Sequence, residues 1–111
     1  MRNQEISMIF NEIADLLEIK GENPFRIRAY RKAAQNIEGL PKSVKDIPKD
    51  ELLKIPGIGQ DLAGKIEEYL KTGKMQIHEE LRHEIPEGLL TLLSVPGLGP
   101  KTAKLLYEKL K

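Results

Sequence analysis

LLKIPGIGQDLAGKIEEYLK, residues 52–71, returns 40 positions later as LLSVPGLGPKTAKLLYEKLK, residues 92–111. The copies share a leading Leu-Leu pair, the tetrad Pro-Gly-x-Gly, an alanine four residues after the second glycine (Ala63, Ala103) and a closing Glu-x-Leu-Lys. Each reads as a short helix, a tight turn and a second helix. Pro56 cannot continue the first helix with a backbone donor, and Gly57 and Gly59 permit positive φ and leave no Cβ over the turn. Helical periodicity then restarts, with Leu62, Ala63, Ile66, Tyr69 and Leu70 on one side.

A bare turn entering a helix leaves backbone N–H groups without intrahelical partners, and these groups face outward. Together with the positive end of the helix dipole they suit a phosphate oxygen, which any side chain at the glycines would hold away. The pattern is therefore a helix-hairpin-helix, expected to grip nucleic-acid backbone at Gly57, Ile58 and Gly59 and at Gly97, Leu98, Gly99, Lys101 and Thr102, without reading bases. The competing reading is a protein-interaction module of paired helices. Gly57, Gly59, Gly97 and Gly99 together separate the two, because a partner surface does not need bare backbone at both turns.

The 111 residues suffice for one domain, or for two small helical units sharing a core. The expected division is residues 1–74, holding the first hairpin, and residues 75–111, a connecting helix and the second hairpin. No long apolar run and no leader pattern is present, so a cytoplasmic monomer without membrane contact is expected. The absence of cysteine excludes disulfides and thiolate zinc sites, and His78 and His83 lack a ligand pattern and read as surface residues. Eighteen basic and 17 acidic residues nearly cancel to a net +1, so total charge does not point to a polyanion.

Residues 4–20 place Ile6, Ile9, Phe10, Ile13, Leu16 and Leu17 at helical spacing, an amphipathic helix ended by Gly21. Asn23-Pro24 starts a second helix that runs to Ile37. Gly39 and Pro41 break it, SVKDIP gives a brief turn, Gly73 caps the first hairpin, QIHEELRHEI connects the repeats and Pro86 opens the second hairpin. Nothing alternates for long enough to be a strand, so the class is all-α, a small helical bundle.

The basic residues concentrate in the second helix, PFRIRAYRKAAQNIE. At 100° per residue Arg28, Arg31 and Lys32 share one exposed stripe, expected to contact DNA phosphates, while Arg26 lies one turn from Tyr30 on the side of Ala33 and Ile37. An arginine beside a tyrosine on that side reads either as a snorkelling cation over a core phenol or as an anion pocket. Lys65 stands where the second copy has Leu105, at the edge of the stripe holding Leu62 and Tyr69. A partly buried lysine there is a candidate Schiff-base nucleophile, opposed by Asp61 one turn earlier, which favours the charged amine.

AYRKAA, then KIPGIGQDLAGKIEEYLKTGK, then SVPGLGPKTA, closely resembles the amino-terminal region of the family X DNA polymerases, most of all the bacterial and archaeal members, from residue 24 onward. The resemblance implies a lyase-type domain followed by a DNA-binding segment, each with one hairpin. It implies binding of double-stranded or gapped DNA with a 5′-phosphate, in repair or gap filling. By position, Lys65 is the Schiff-base lysine that removes 5′-deoxyribose phosphate, Tyr30 is the tyrosine of the phosphate pocket and Arg26 replaces a phosphate-binding lysine. Asp61, Phe25 and Gly64 stand where lyase-active relatives have a basic residue, a histidine and a glutamate, which predicts weak lyase chemistry. The resemblance also implies a monovalent cation, Na+ or K+, on the carbonyls of Leu53, Ile55 and Ile58 and of Leu93, Val95 and Leu98. No cofactor is required for binding. Nucleotidyl transfer needs carboxylates on a strand for Mg2+ and is expected only downstream of Lys111.

Overall fold

The structure, a computed structural model, describes residues 2–110. These form seven α-helices and one 3-10 turn, with no strand among the described residues: α1 (Arg2–Lys20), α2 (Pro24–Glu38), the 3-10 turn (Val44–Asp46), α3 (Lys49–Leu52), α4 (Gln60–Thr72), α5 (Gln76–Glu84), α6 (Glu87–Leu92) and α7 (Pro100–Leu110). The all-α expectation is met.

The helix ends follow local chemistry. Gly21 takes φ +76°, and the Glu22 N–H donates to the Leu17 carbonyl at 3.0 Å, closing α1 with a left-handed cap. Asn23 accepts the Phe25 N–H at 2.7 Å and Pro24 occupies the first turn, so α2 begins where the sequence places it. Gly73, at φ +82°, closes α4.

α1 departs from the one-faced amphipathic helix expected of it. Ile6, Phe10, Ile13, Ala14, Leu16, Leu17 and Ile19 are all buried, and at 3.6 residues per turn they wrap more than half its circumference. The reason is tertiary. α2 packs along one side, and α7 and α5 cover others, so both hairpin units share α1 as their core. Tyr69 on α4 donates its hydroxyl to Glu5 at 2.5 Å, tying the first hairpin to α1 as well.

α5 is fastened to α1 by charge. Glu12 receives Arg82 and stands 3.1 Å from Nε2 of His78, and Lys20 pairs with Glu84. The neighbouring His78, then burial working against it, then Arg82, together leave the Glu12 carboxyl below its ordinary range. His78 is therefore not the surface residue expected, because α1 covers it, whereas His83 is exposed. Among the described residues no helix is long and apolar enough to cross a membrane.

Two buried polar side chains on α1 hold α2 and the loop after it. Asn3 donates to the Lys42 carbonyl at 2.8 Å and accepts the Val44 N–H at 2.7 Å, and Ser7 donates to the Ala34 carbonyl at 2.9 Å. Replacing Asn3 by Ala leaves the Val44 N–H unsatisfied in the interior. The expected loss is about 1–3 kcal/mol, read as a lowered urea midpoint at unchanged slope. An unchanged midpoint would show that water satisfies the loop equally well.

Candidate nucleic-acid interface

The two turns are built from corresponding hydrogen bonds. In the first, the Lys54 N–H donates to Glu51, Ile55 to Leu52, Ile58 to Ile55 and Ala63 to Gly59. In the second, Ser94 donates to Thr91, Val95 to Leu92, Leu98 to Val95 and Ala103 to Gly99. Gly57 at φ +87° and Gly97 at +85° follow Pro56 and Pro96, the arrangement of a type II turn. The two glycines of each tetrad therefore have different roles. The first supplies a left-handed backbone. The second does not, since Gly59 lies at φ −94° and ψ −172°, an extended conformation open to any residue. A Cβ added at Gly59 or Gly99 meets nothing within 4 Å. No side chain caps α4, so its first N–H groups face outward beside Gly59.

The first turn is buttressed by α2. Asn36 donates from Nδ2 to the Pro56 carbonyl at 2.5 Å, and a Cβ at Gly57 would stand 3.4 Å from Cγ of Lys32. The second turn has no such cover at Gly97. Asn36 escaped the sequence reading because a lone polar residue on a helix has many uses; a side-chain amide donor on the helix face toward the turn was the available signal.

The expected stripe of Arg28, Arg31 and Lys32 is not one surface. Arg31 turns back to α1, with Nη2 2.9 Å from Asp15 and 3.1 Å from Glu18. Burial nevertheless leaves the Asp15 carboxyl above its ordinary range, with Arg31 pulling the other way. Lys32 lays its stem over the first turn, and Arg28 stacks its guanidinium 4.7 Å from the centre of the Phe25 ring, which is 74% exposed. The three residues lie within one arc of the helix, but the carboxylates of α1 and the exposed ring draw their long side chains apart. Arg28 and Lys32 lack carboxylate partners among the described residues.

Tyr30 packs its ring edge-on against Phe10, with centroids 5.5 Å apart, and its hydroxyl is buried without a hydrogen-bond partner among the described residues. Burial pushes the phenol above its ordinary range; the charge of Lys65 pulls it down, Asp61 pushes it up, and Arg26 pulls it down through its charge and a weak contact with the hydroxyl. One orphan hydroxyl thus lies within the field of two cations. Arg26 itself is exposed, 3.6 Å from Glu22. Nζ of Lys65 lies 2.6 Å from Asp61, and the lysine side chain is only 18% exposed. Its counterpart Leu105 in the second copy is 62% exposed. The two helices meet different neighbours, so equivalent positions are covered in one and open in the other.

The turn geometry separates fold from contact. Gly57→Ala places a side chain at positive φ, and a loss of about 1–2 kcal/mol is expected in chemical denaturation. Gly59→Ala meets neither strain nor contact and forfeits only glycine's preference at the start of α4, so its loss should be smaller than that at Gly57. Equal losses at both positions would contradict this division of roles.

Residues 1–75 match the family model described as a helix-hairpin-helix domain, and residues 89–111 match the one described as a SAM-like helix-hairpin-helix tandem. The chain is 39% identical over 110 residues to the DNA polymerase/3'-5' exonuclease PolX of Bacillus subtilis (strain 168), a match covering 99% of this chain and 19% of that protein. It is 33% identical over 108 residues to DNA polymerase lambda of Arabidopsis thaliana, covering 96% of this chain and 20% of that one. For DNA polymerase lambda of Rattus norvegicus the identity is 28% over 108 residues, covering 96% and 18%. The chain thus spans about a fifth of the length of these relatives. It belongs to the helix-hairpin-helix domain family and is homologous, over nearly all of its 111 residues, to the family X DNA polymerases.

Proposed function

We propose that this chain is a sequence-independent DNA-binding region of a family X DNA polymerase that grips gapped DNA and its 5′-phosphate during repair or gap filling. The observation that carries the reading is the pair of hairpins with corresponding hydrogen bonds, each presenting a second glycine in open space. Backbone N–H groups at these turns fit phosphate oxygens and carry no base information. Lys32, Lys101 and Thr102 border them and add charge or a hydroxyl.

The 5′-phosphate goes to the Tyr30 pocket. Its buried, unpartnered hydroxyl supplies a donor, and Arg26 and Lys65 supply positive charge. For the hairpin carbonyls of Leu53, Ile55 and Ile58, and of Leu93, Val95 and Leu98, neutral oxygen donors suit an alkali cation such as Na+ or K+. Ile55 and Val95 each already accept one N–H and retain a second lone pair. Such a cation would hold the loop conformation and add positive charge beneath a phosphate. The region acts as a monomer in this reading, and nucleotide addition belongs to other parts of the protein.

Lys65 is the candidate nucleophile for 5′-deoxyribose phosphate removal. Its amine would attack the sugar aldehyde and lose water to form an imine; loss of a C2′ proton would then break the C3′–O bond, release the strand with its phosphate, and leave a conjugated imine that water hydrolyses to free the lysine. Asp61 holds that amine as an ion pair, so the activity is weak. Borohydride trapping on an incised abasic duplex should give a faint adduct that strengthens with pH, disappears in Lys65→Ala and grows in Asp61→Lys. An adduct that persists in Lys65→Ala would assign the chemistry to another amine.

Fluorescence anisotropy tests the pocket. A gapped duplex with a 5′-phosphate should bind about tenfold more tightly than its 5′-hydroxyl counterpart, the scale of a charge-assisted hydrogen bond. Tyr30→Phe should narrow that ratio with little loss of stability, because the hydroxyl has no well-formed hydrogen bond in the folded chain and only Arg26 interacts with it weakly. Equal affinity of the parent for both ends would remove the pocket from the account.

A further inference from the structure

We propose that the cleft where α1, α2 and α7 meet holds one unpaired nucleotide, with its phosphate on Arg28, Lys101 and Lys104 and its base on Pro24 and Ile27. The cleft has a volume of about 580 Å³ and is also lined by Glu18, Gly21, Glu22 and Arg31. That size suits a small ligand and excludes a duplex. Three features of the lining select the ligand.

The first is its cations. Arg28, Lys101 and Lys104 have no carboxylate partner among the described residues, unlike Arg31 in the same cleft, which Asp15 and Glu18 hold. Phe25 braces Arg28 through the face of its guanidinium and leaves the N–H edge available. Lys104 is positioned by its stem, whose Cε would stand 3.7 Å from a Cβ built at Gly21. The second is the apolar surface of Pro24 and Ile27, against which a base can lie. The third is the pair Glu18 and Glu22, which would repel a bare anion and which, though paired with Arg31 and Arg26, keep carboxylate lone pairs that an exocyclic amine can meet. A ligand with a phosphate at one end and an amino-bearing base at the other satisfies all three, which favours cytosine or adenine over thymine.

This subsite shares no residue with the Tyr30 pocket, although Glu22 in its lining stands 3.6 Å from Arg26 of that pocket. It goes beyond the backbone grip by giving the chain a contact to a base, confined to nucleotides outside the duplex. Lys101 lies in the first turn of α7, the helix that leaves the second hairpin, so the cleft adjoins that hairpin. Lys104 occupies the register of Gly64 in the first copy, the signal in the sequence that this side of the second hairpin is specialised.

The test is an amide NMR titration of the full chain with deoxycytidine monophosphate, thymidine monophosphate, deoxycytidine and inorganic phosphate. Deoxycytidine monophosphate should shift Gly21, Ile27 and Lys104 and bind more tightly than the thymidine nucleotide, deoxycytidine or phosphate alone. Lys104→Glu should weaken it about tenfold, and the milder Lys104→Gln by less, with both spectra otherwise native. Shifts absent from these residues, or Lys104 variants that titrate like the parent, would overturn the proposal. A gapped duplex with a one-nucleotide 5′ flap distinguishes the source of the nucleotide. Tighter binding of the flap than of the unflapped duplex, lost in Lys104→Glu, assigns the cleft to a displaced strand, and equal binding assigns it to free nucleotide. If gapped duplexes do not bind at all while the mononucleotide shifts appear, the backbone grip fails and the cleft stands.

Discussion

The burial of α1 on several sides is the constraint on which the remainder of the structure depends. A helix whose apolar residues cover more than half its circumference must be enclosed, and α2, α5 and α7 together enclose it. The first hairpin reaches this core through α2, with Asn36 bonded to the turn, and through the Tyr69 bond to Glu5. The second reaches it through α7. Because one helix serves both units, the distance between the two turns depends on α1. The ion pairs of Glu12 with Arg82 and of Lys20 with Glu84 fix the connecting helix between them. Substitutions in the α1 core therefore affect both hairpins.

A repeated backbone has been given two environments. The turns share their hydrogen-bond pattern and their positive-φ glycine, yet the register of Lys65 is covered in the first copy and exposed as Leu105 in the second. Gly57 lies under Lys32 and Asn36, whereas Gly97 is open. The first copy adjoins the orphan Tyr30 hydroxyl, and the second adjoins the cationic cleft of Arg28, Lys101 and Lys104. The two turns present backbone N–H groups in the same way, and their flanking side chains differ.

Most of the helical plan is legible in the sequence because short-range chemistry fixes it. Asn23-Pro24, Gly21, Gly73 and the two Pro-Gly pairs each act within a few residues, and the helices start and stop where they direct. What was not legible depends on contacts between distant residues. The periodicity of α1 revealed one buried side but not the enclosure that makes Asn3 and Ser7 interior residues. Arg31 looked like a member of a basic stripe because its acidic partners sit on α1, 13 and 16 positions earlier. His78 looked exposed because its neighbour Glu12 is likewise remote. The ion pair of Lys65 with Asp61, one helical turn apart, was legible for the same reason that the caps were.

The central claim is that bare backbone at the two turns makes the contact with DNA. It is tested most directly with the double variant Gly59→Val, Gly99→Val, whose side chains would project into open space beside the N–H groups. Thermal melting should remain close to that of the parent, while affinity for a gapped duplex at fixed salt falls by at least about tenfold, because the phosphates are held away. A stable double variant that binds DNA as tightly as the parent would contradict the account.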